Sequence, residues 1–191
     1  MREHRRTTRE AEEFDHVEDE ELADYLEELA PQIGWVIIFF NSLEDTVASC
    51  LRELMLHDPD QDERLDVFLA EMLFSAKSRA LIHLYGQTIM DCALKTTNQD
   101  LTVIENLLVE CAKRRNEYAH ADWIGLKQGQ IVKVKSQSQK RGIVHRYKRF
   151  NAADVEEDVG FIDAARDTVY EFHQRVLDEL YGRASLRDDD S

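Results

Sequence analysis

The chain has 191 residues, 43% of them hydrophobic, with 7 Gly, 2 Pro and 3 Cys, and a formal net charge of −15. That length suits one domain with a sizeable core, and so few Gly and Pro disfavour a turn-rich all-β fold. The longest apolar run, Trp35–Phe40, is far short of the roughly 20 residues of a membrane span, and Arg and Glu crowd the N-terminus, so a cytoplasmic protein without span or secretory signal is expected.

Residues 1–17, with Arg2, Arg5, Arg6 and Arg9 among acids, lack a sustained apolar period and read as a flexible arm. Leu22, Tyr25, Leu26 and Leu29 predict a short amphipathic helix that Pro31 ends or turns. A second helix is predicted over 32–57, where Ile33, Ile37, Phe40, Glu44, Val47, Leu51 and Leu54 step by four and three, so that Glu44 interrupts an apolar seam. A buried carboxylate needs a cation, and the expected partner is Arg115, with Arg114 second. After a loop at His57–Glu63, a third unit covers Leu65–Leu73, and Ser75 is expected to cap its continuation through Leu81, Leu84, Tyr85 and Ile89.

Thr96-Thr97-Asn98 closes that helix and caps the next, predicted over 98–123, whose seam is Leu101, Ile104, Leu108, Cys111, Arg115 and Tyr118. It ends in Arg115-Asn116-Glu117-Tyr118-Ala119-His120. Asn116 and His120 lie one above the other on a helix, and the long Arg115 side chain can swing toward them.

Beyond Gly125, Gln130–Ser136 and Ile143–Phe150 alternate around Ser138–Gly142, a hairpin signature; a lone hairpin is marginal and must lean on the helices. Asn151 with Asp154 opens a last helix through Val155, Val159, Ile162, Val169, Phe172, Val176 and Leu180. The tail over 183–191 is expected to be disordered. The expected fold is an all-α antiparallel bundle of four to six helices with a short β-hairpin inserted near 130–150, in a single domain over 18–182.

Charge is segregated: residues 113–149 hold 11 Lys or Arg against 2 acids. Lys127, Lys133, Lys135, Arg146 and Lys148 could track a phosphate backbone, with Tyr147 and Phe150 for base stacking. A solvated edge that merely resists aggregation has the same composition. Cys50, Cys92 and Cys111 fall in apolar patterns and read as buried thiols. There is no C-x-x-C and no His–Cys cluster at ligand spacing, so no disulfide, metal or cofactor is expected.

The pattern R-N-x-x-x-H at Arg115, Asn116 and His120, late in a helical domain, resembles the motif of the HEPN superfamily. Asn41-Ser42-Leu43-Glu44 and Phe74-Ser75-Ala76-Lys77 look like features of small bacterial HEPN-like proteins, and the likeness covers roughly residues 31–180. The resemblance implies a metal-independent endoribonuclease of a toxin–antitoxin or defence system. Its catalytic residues would be Arg115, Asn116 and His120, supported by Glu44 and Tyr118. The implied partners are RNA, a second copy of the chain, and an antitoxin or nucleotidyltransferase. Asp122 stands where some HEPN toxins carry a tyrosine two residues after the histidine, so modification of that tyrosine does not carry over.

The residue chemistry agrees: an imidazole of near-neutral pKa can deprotonate a ribose 2′-hydroxyl, and a guanidinium can stabilise charge on the phosphate. The alternative is a non-catalytic helical interaction module, in which Asn116 bonds His120, Arg115 neutralises Glu44, and the whole is a satisfied polar network. Accessibility of His120 separates the two readings, since catalysis requires it.

Overall fold

The computed structural model describes residues 3–7, 10, 15–56, 58, 62–140 and 142–188, with backbone alone for 3, 4 and 183–188. Parts of the expected N-terminal arm, of the loop at His57–Glu63, of the hairpin turn and of the C-terminal tail lie outside these residues. In chain order the described elements are β1 (Glu3–Thr7), α1 (Asp19–Met55), α2 (Arg64–Glu71), α3 (Phe74–Asp91), α4 (Asn98–Ala119), β2 (Asp122–Lys127), β3 (Ile131–Gln139), β4 (Gly142–Arg149) and α5 (Ala152–Asp188). The protein is mainly helical, and it carries a four-stranded antiparallel sheet in the order β1-β4-β3-β2. Among the described residues no helix is long and apolar enough to cross a membrane.

Helix α1 runs straight through Pro31, where a break was expected. The proline forfeits one backbone hydrogen bond. Against that loss, Tyr25, Leu29, Val36, Phe40, Leu43 and Val47 are all buried at steps of three, four and seven, so one phase of burial continues across the proline. Phe40, Val47 and Leu51 of the predicted seam are buried, but Leu43 rather than Glu44 fills the place between Phe40 and Val47, and Glu44 borders the seam with 28% of its side chain exposed. At the other boundaries local chemistry acts much as predicted. Thr97 and Asp100 bond reciprocally, Thr97 N donating to Oδ2 at 2.9 Å and Asp100 N to Oγ1 at 3.3 Å, which caps α4. Asp154 N donates to Asn151 Oδ1 at 2.9 Å at the start of α5. Ser75 caps nothing; α3 starts at Phe74 after an extended Leu73. The stretch after Arg183, expected to be disordered, stays helical to Asp188.

The sheet is larger than the predicted hairpin, which supplies only β3 and β4, paired from Ile131↔Arg149 to Gln139↔Gly142. Segment 3–7, given no strand by the sequence reading, pairs with β4 from Glu3↔Lys148 to Thr7↔Val144. Residues 122–127 form β2 against β3, so α4 stops at Ala119 rather than near 123.

The chain divides into two compact units, Met1–Phe39 with Lys113–Phe161 and Phe40–Ala112 with Ile162–Ser191. The first holds the sheet and an aromatic cluster: Phe150 lies 5.1 Å from both Tyr118 and Trp123, ring centre to ring centre. Tyr25 donates to the Phe150 carbonyl at 3.3 Å, and burial pushes its hydroxyl pKa up to about 12. The second is helical, with Phe40 against Phe74 at 4.6 Å and Tyr85 edge-on to Phe172 at 5.0 Å. There a fully buried His173 bridges the Tyr85 hydroxyl at 3.0 Å and Glu53 at 3.1 Å. Cys50 and Cys111 are buried as expected, and burial pushes the Cys50 thiol up to about 12. Cys92 is exposed, because it follows the end of α3 rather than lying within it.

Candidate functional site

The last turns of α4 carry the hexapeptide, and its side chains divide sharply. Arg114, one residue before it, donates to Asp158 Oδ1 of α5 at 2.6 Å and lies 3.8 Å from the centre of the Phe161 ring. Tyr118 is 1% exposed and donates to the other oxygen of Asp158 at 2.5 Å. Burial and that carboxylate both raise the Tyr118 pKa, so it stays a neutral donor. Its ring stacks on Trp123, whose indole N–H donates to the Tyr118 carbonyl at 2.9 Å. Tyr118 therefore supports the end of α4 from within the core.

Glu117 turns to the sheet. Its carboxylate accepts from Arg146 and Lys148, both on β4, with 14% of its side chain exposed. Burial works against the charged form, but hydrogen bonds and charge from Lys148 and Arg146 outweigh it and hold the carboxyl below its ordinary value. This residue, unremarked in the sequence, clips β4 to α4.

The three predicted catalytic residues lie outward of these anchors. Arg115 is half-buried, and Asn116 and His120 are exposed. Arg115 Nη1 donates to Asn116 Oδ1 at 3.0 Å. His120 follows the last residue of α4, its backbone N–H on the Asn116 carbonyl at 3.2 Å. The expected side-chain bond from Asn116 to His120 is not formed: Asn116 Oδ1 is taken by Arg115, and no described residue hydrogen-bonds the imidazole.

Within its own unit, Glu44 receives a lysine. Its carboxylate accepts from Lys77 of α3 at 2.7 Å, with 11% of the lysine side chain exposed. Lys77 stands in Phe74-Ser75-Ala76-Lys77, and a Glu44 that borders the seam instead of filling it is satisfied by a single ammonium without a forked donor.

The basic block is partly self-neutralised, since both of its acids are engaged by it. Besides Glu117, Asp122 pairs with Lys133 at 2.9 Å and accepts the Gly125 N–H at 3.1 Å. Lys133 first and Gly125 after it hold the Asp122 carboxyl below its ordinary value against partial burial. A side chain at Gly125 would stand 2.7 Å from Asp122 Oδ2, so the Asp122 carboxylate would have to shift to admit one. Lys127 Nζ sits 2.9 Å from His16 Nε2, while Lys135 is exposed. Tyr147 and Phe150, expected to stack on bases, are 4% and 1% exposed and belong to the core. A feature the sequence could not disclose is a row of cations: Arg5 of β1 and Lys135 of β3 both lie opposite Arg146 of β4. Directly opposed strand residues share a face, and Glu117 offsets the like-charge repulsion at Arg146.

The chain matches no protein-family model, no curated protein and no solved structure.

Proposed function

We propose that this chain is a HEPN-like, RNA-directed protein whose working residues are Arg115, Asn116 and His120, and that it cleaves RNA without a metal. The observation that carries the reading is the division of the α4 terminus: Arg114, Glu117 and Tyr118 are consumed by Asp158, Arg146 and Lys148, whereas Asn116 and the imidazole of His120 face solvent beside Arg115. An exposed imidazole suits proton transfer to solvent-borne substrate. His120 takes the proton from a ribose 2′-hydroxyl, and the oxygen attacks the adjacent phosphorus. The 5′-oxygen leaves, and a 2′,3′-cyclic phosphate forms. Arg115 stabilises the phosphate oxygens, oriented by its bond to Asn116. The leaving oxygen needs a second proton donor, supplied in this reading by His120 of a second copy in a two-fold dimer. An antitoxin or nucleotidyltransferase would then restrain the activity in the cytoplasm. Lys127 and Lys135 supply the phosphate-binding surface.

The second reading, a non-catalytic interaction module, is favoured by one observation: half of the motif turn is structural, with Glu117 and Tyr118 each committed to another element. Purified protein incubated with mixed cellular RNA in EDTA separates the two. Cleavage that His120→Ala reduces by about 10²–10⁴ supports the first; no cleavage above that variant across several RNAs supports the second.

A further inference from the structure

Helices α3 and α4 line a cavity of about 440 Å³ that plays no part in the reading above. Its apolar wall is Phe74, Ile82 and Leu108, all 9% exposed or less. Ser78 also lines it, 9% exposed, and its hydroxyl has no hydrogen-bond partner among the described residues. A buried hydroxyl left this way is costly, and a ligand's polar atom would recover the loss. Two opposite charges complete the lining, Arg79 from α3 and Glu105 from α4, both exposed. Arg79 uses Nε on the Ser75 carbonyl at 3.3 Å. Its terminal nitrogens and the Glu105 carboxylate have no partner among the described residues, and the two side chains do not pair with each other.

An apolar wall, a buried hydroxyl, and a separate cation and anion together complement a zwitterion with a greasy body. We propose that this cavity binds a free α-amino acid with a large apolar side chain. The side chain fills the Phe74–Ile82–Leu108 wall, Arg79 holds the carboxylate with help from Ser78, and Glu105 holds the ammonium. The volume lies in the lower half of the range of small-molecule sites, roughly 300–1,000 Å³, and a forked guanidinium matches a carboxylate. The inference is independent of RNA cleavage.

The test is isothermal titration calorimetry of the full chain with L-phenylalanine, L-leucine and L-tryptophan, beside N-acetyl-L-phenylalanine, L-phenylalanine amide and phenol. At least one amino acid should bind saturably with Kd of about 1 mM or tighter, and acetylation or amidation should each weaken binding about tenfold or more. Arg79→Gln should erase the preference for acid over amide, and Glu105→Gln the preference for free over acetylated amine. Both side chains are exposed, so unchanged melting temperatures will confirm intact folds. Ser78→Ala should weaken binding severalfold. No saturable heat from any amino acid, phenol binding as tightly as phenylalanine, or Arg79→Gln retaining the acid preference would each overturn the proposal.

Discussion

Glu117 and His120 are three residues apart on one helix end and face opposite demands. Glu117 accepts two cations from β4 and is largely covered; His120 is in solvent. The sequence made the imidazole legible, because its place in R-N-x-x-x-H stands out. Glu117 was illegible, because its partners lie about thirty residues ahead, on a strand whose docking no local pattern announces. Removing it leaves Arg146 and Lys148 half-buried without their carboxylate, so Glu117→Gln should lower stability by about 2 kcal/mol at neutral pH. Its folded carboxyl titrates below the ordinary 4.5, so the stabilisation is present above that value and is lost as pH falls through the folded pKa. Denaturant melts at a series of pH values should show the gap between wild type and Glu117→Gln full near pH 7 and closing below about 4.5. A gap that widens on acidification would contradict the assignment.

At the scale of elements, periodic helices were readable and the sheet was half readable. Leu101, Ile104, Leu108, Cys111 and Tyr118 of α4 are buried as the three-four pattern required. Helix α1 is longer than the sequence predicts, since the proline at position 31 is a strong local signal while continuity of burial on both sides is a tertiary one. Strand β1 is Glu-His-Arg-Arg-Thr, with no apolar alternation to find; it exists because β4 offers an open edge. Within the helical unit, α1 and α3 are joined by Glu44 and Lys77, part-covered at 28% and 11%. Glu44→Ala should cost about 1–3 kcal/mol, between the exposed and buried cases. A double-mutant cycle measured by chemical denaturation should show coupling of Glu44 with Lys77. Strictly additive losses would show that the two do not stabilise the fold as a pair.

For the whole molecule, a net charge of −15 coexists with a basic stretch that spends part of its charge on its own acids. In the proposed function, the cations not spent on those acids, rather than composition, would set how strongly a phosphate backbone is held. Lys127→Ala and Lys135→Ala should each weaken RNA binding, lower the salt slope by up to about 0.7, and leave the melting temperature unchanged. Arg146→Ala and Lys148→Ala should lower the melting temperature as well, because they also release Glu117. Filter binding at several salt concentrations, with parallel melts, reads both effects; identical behaviour of all four variants would remove the distinction.

In the proposed function, the α4 terminus presents a working imidazole on an otherwise structural turn. End-group analysis of RNA treated in EDTA with wild type and with His120→Ala, alongside the melting temperature of each, tests it most directly. The wild type should leave 2′,3′-cyclic phosphate ends, the variant should lose about 10²–10⁴ in rate, and the two melting temperatures should be equal. Fragments with equal yield from both proteins, or a variant that loses its fold together with its activity, would contradict it.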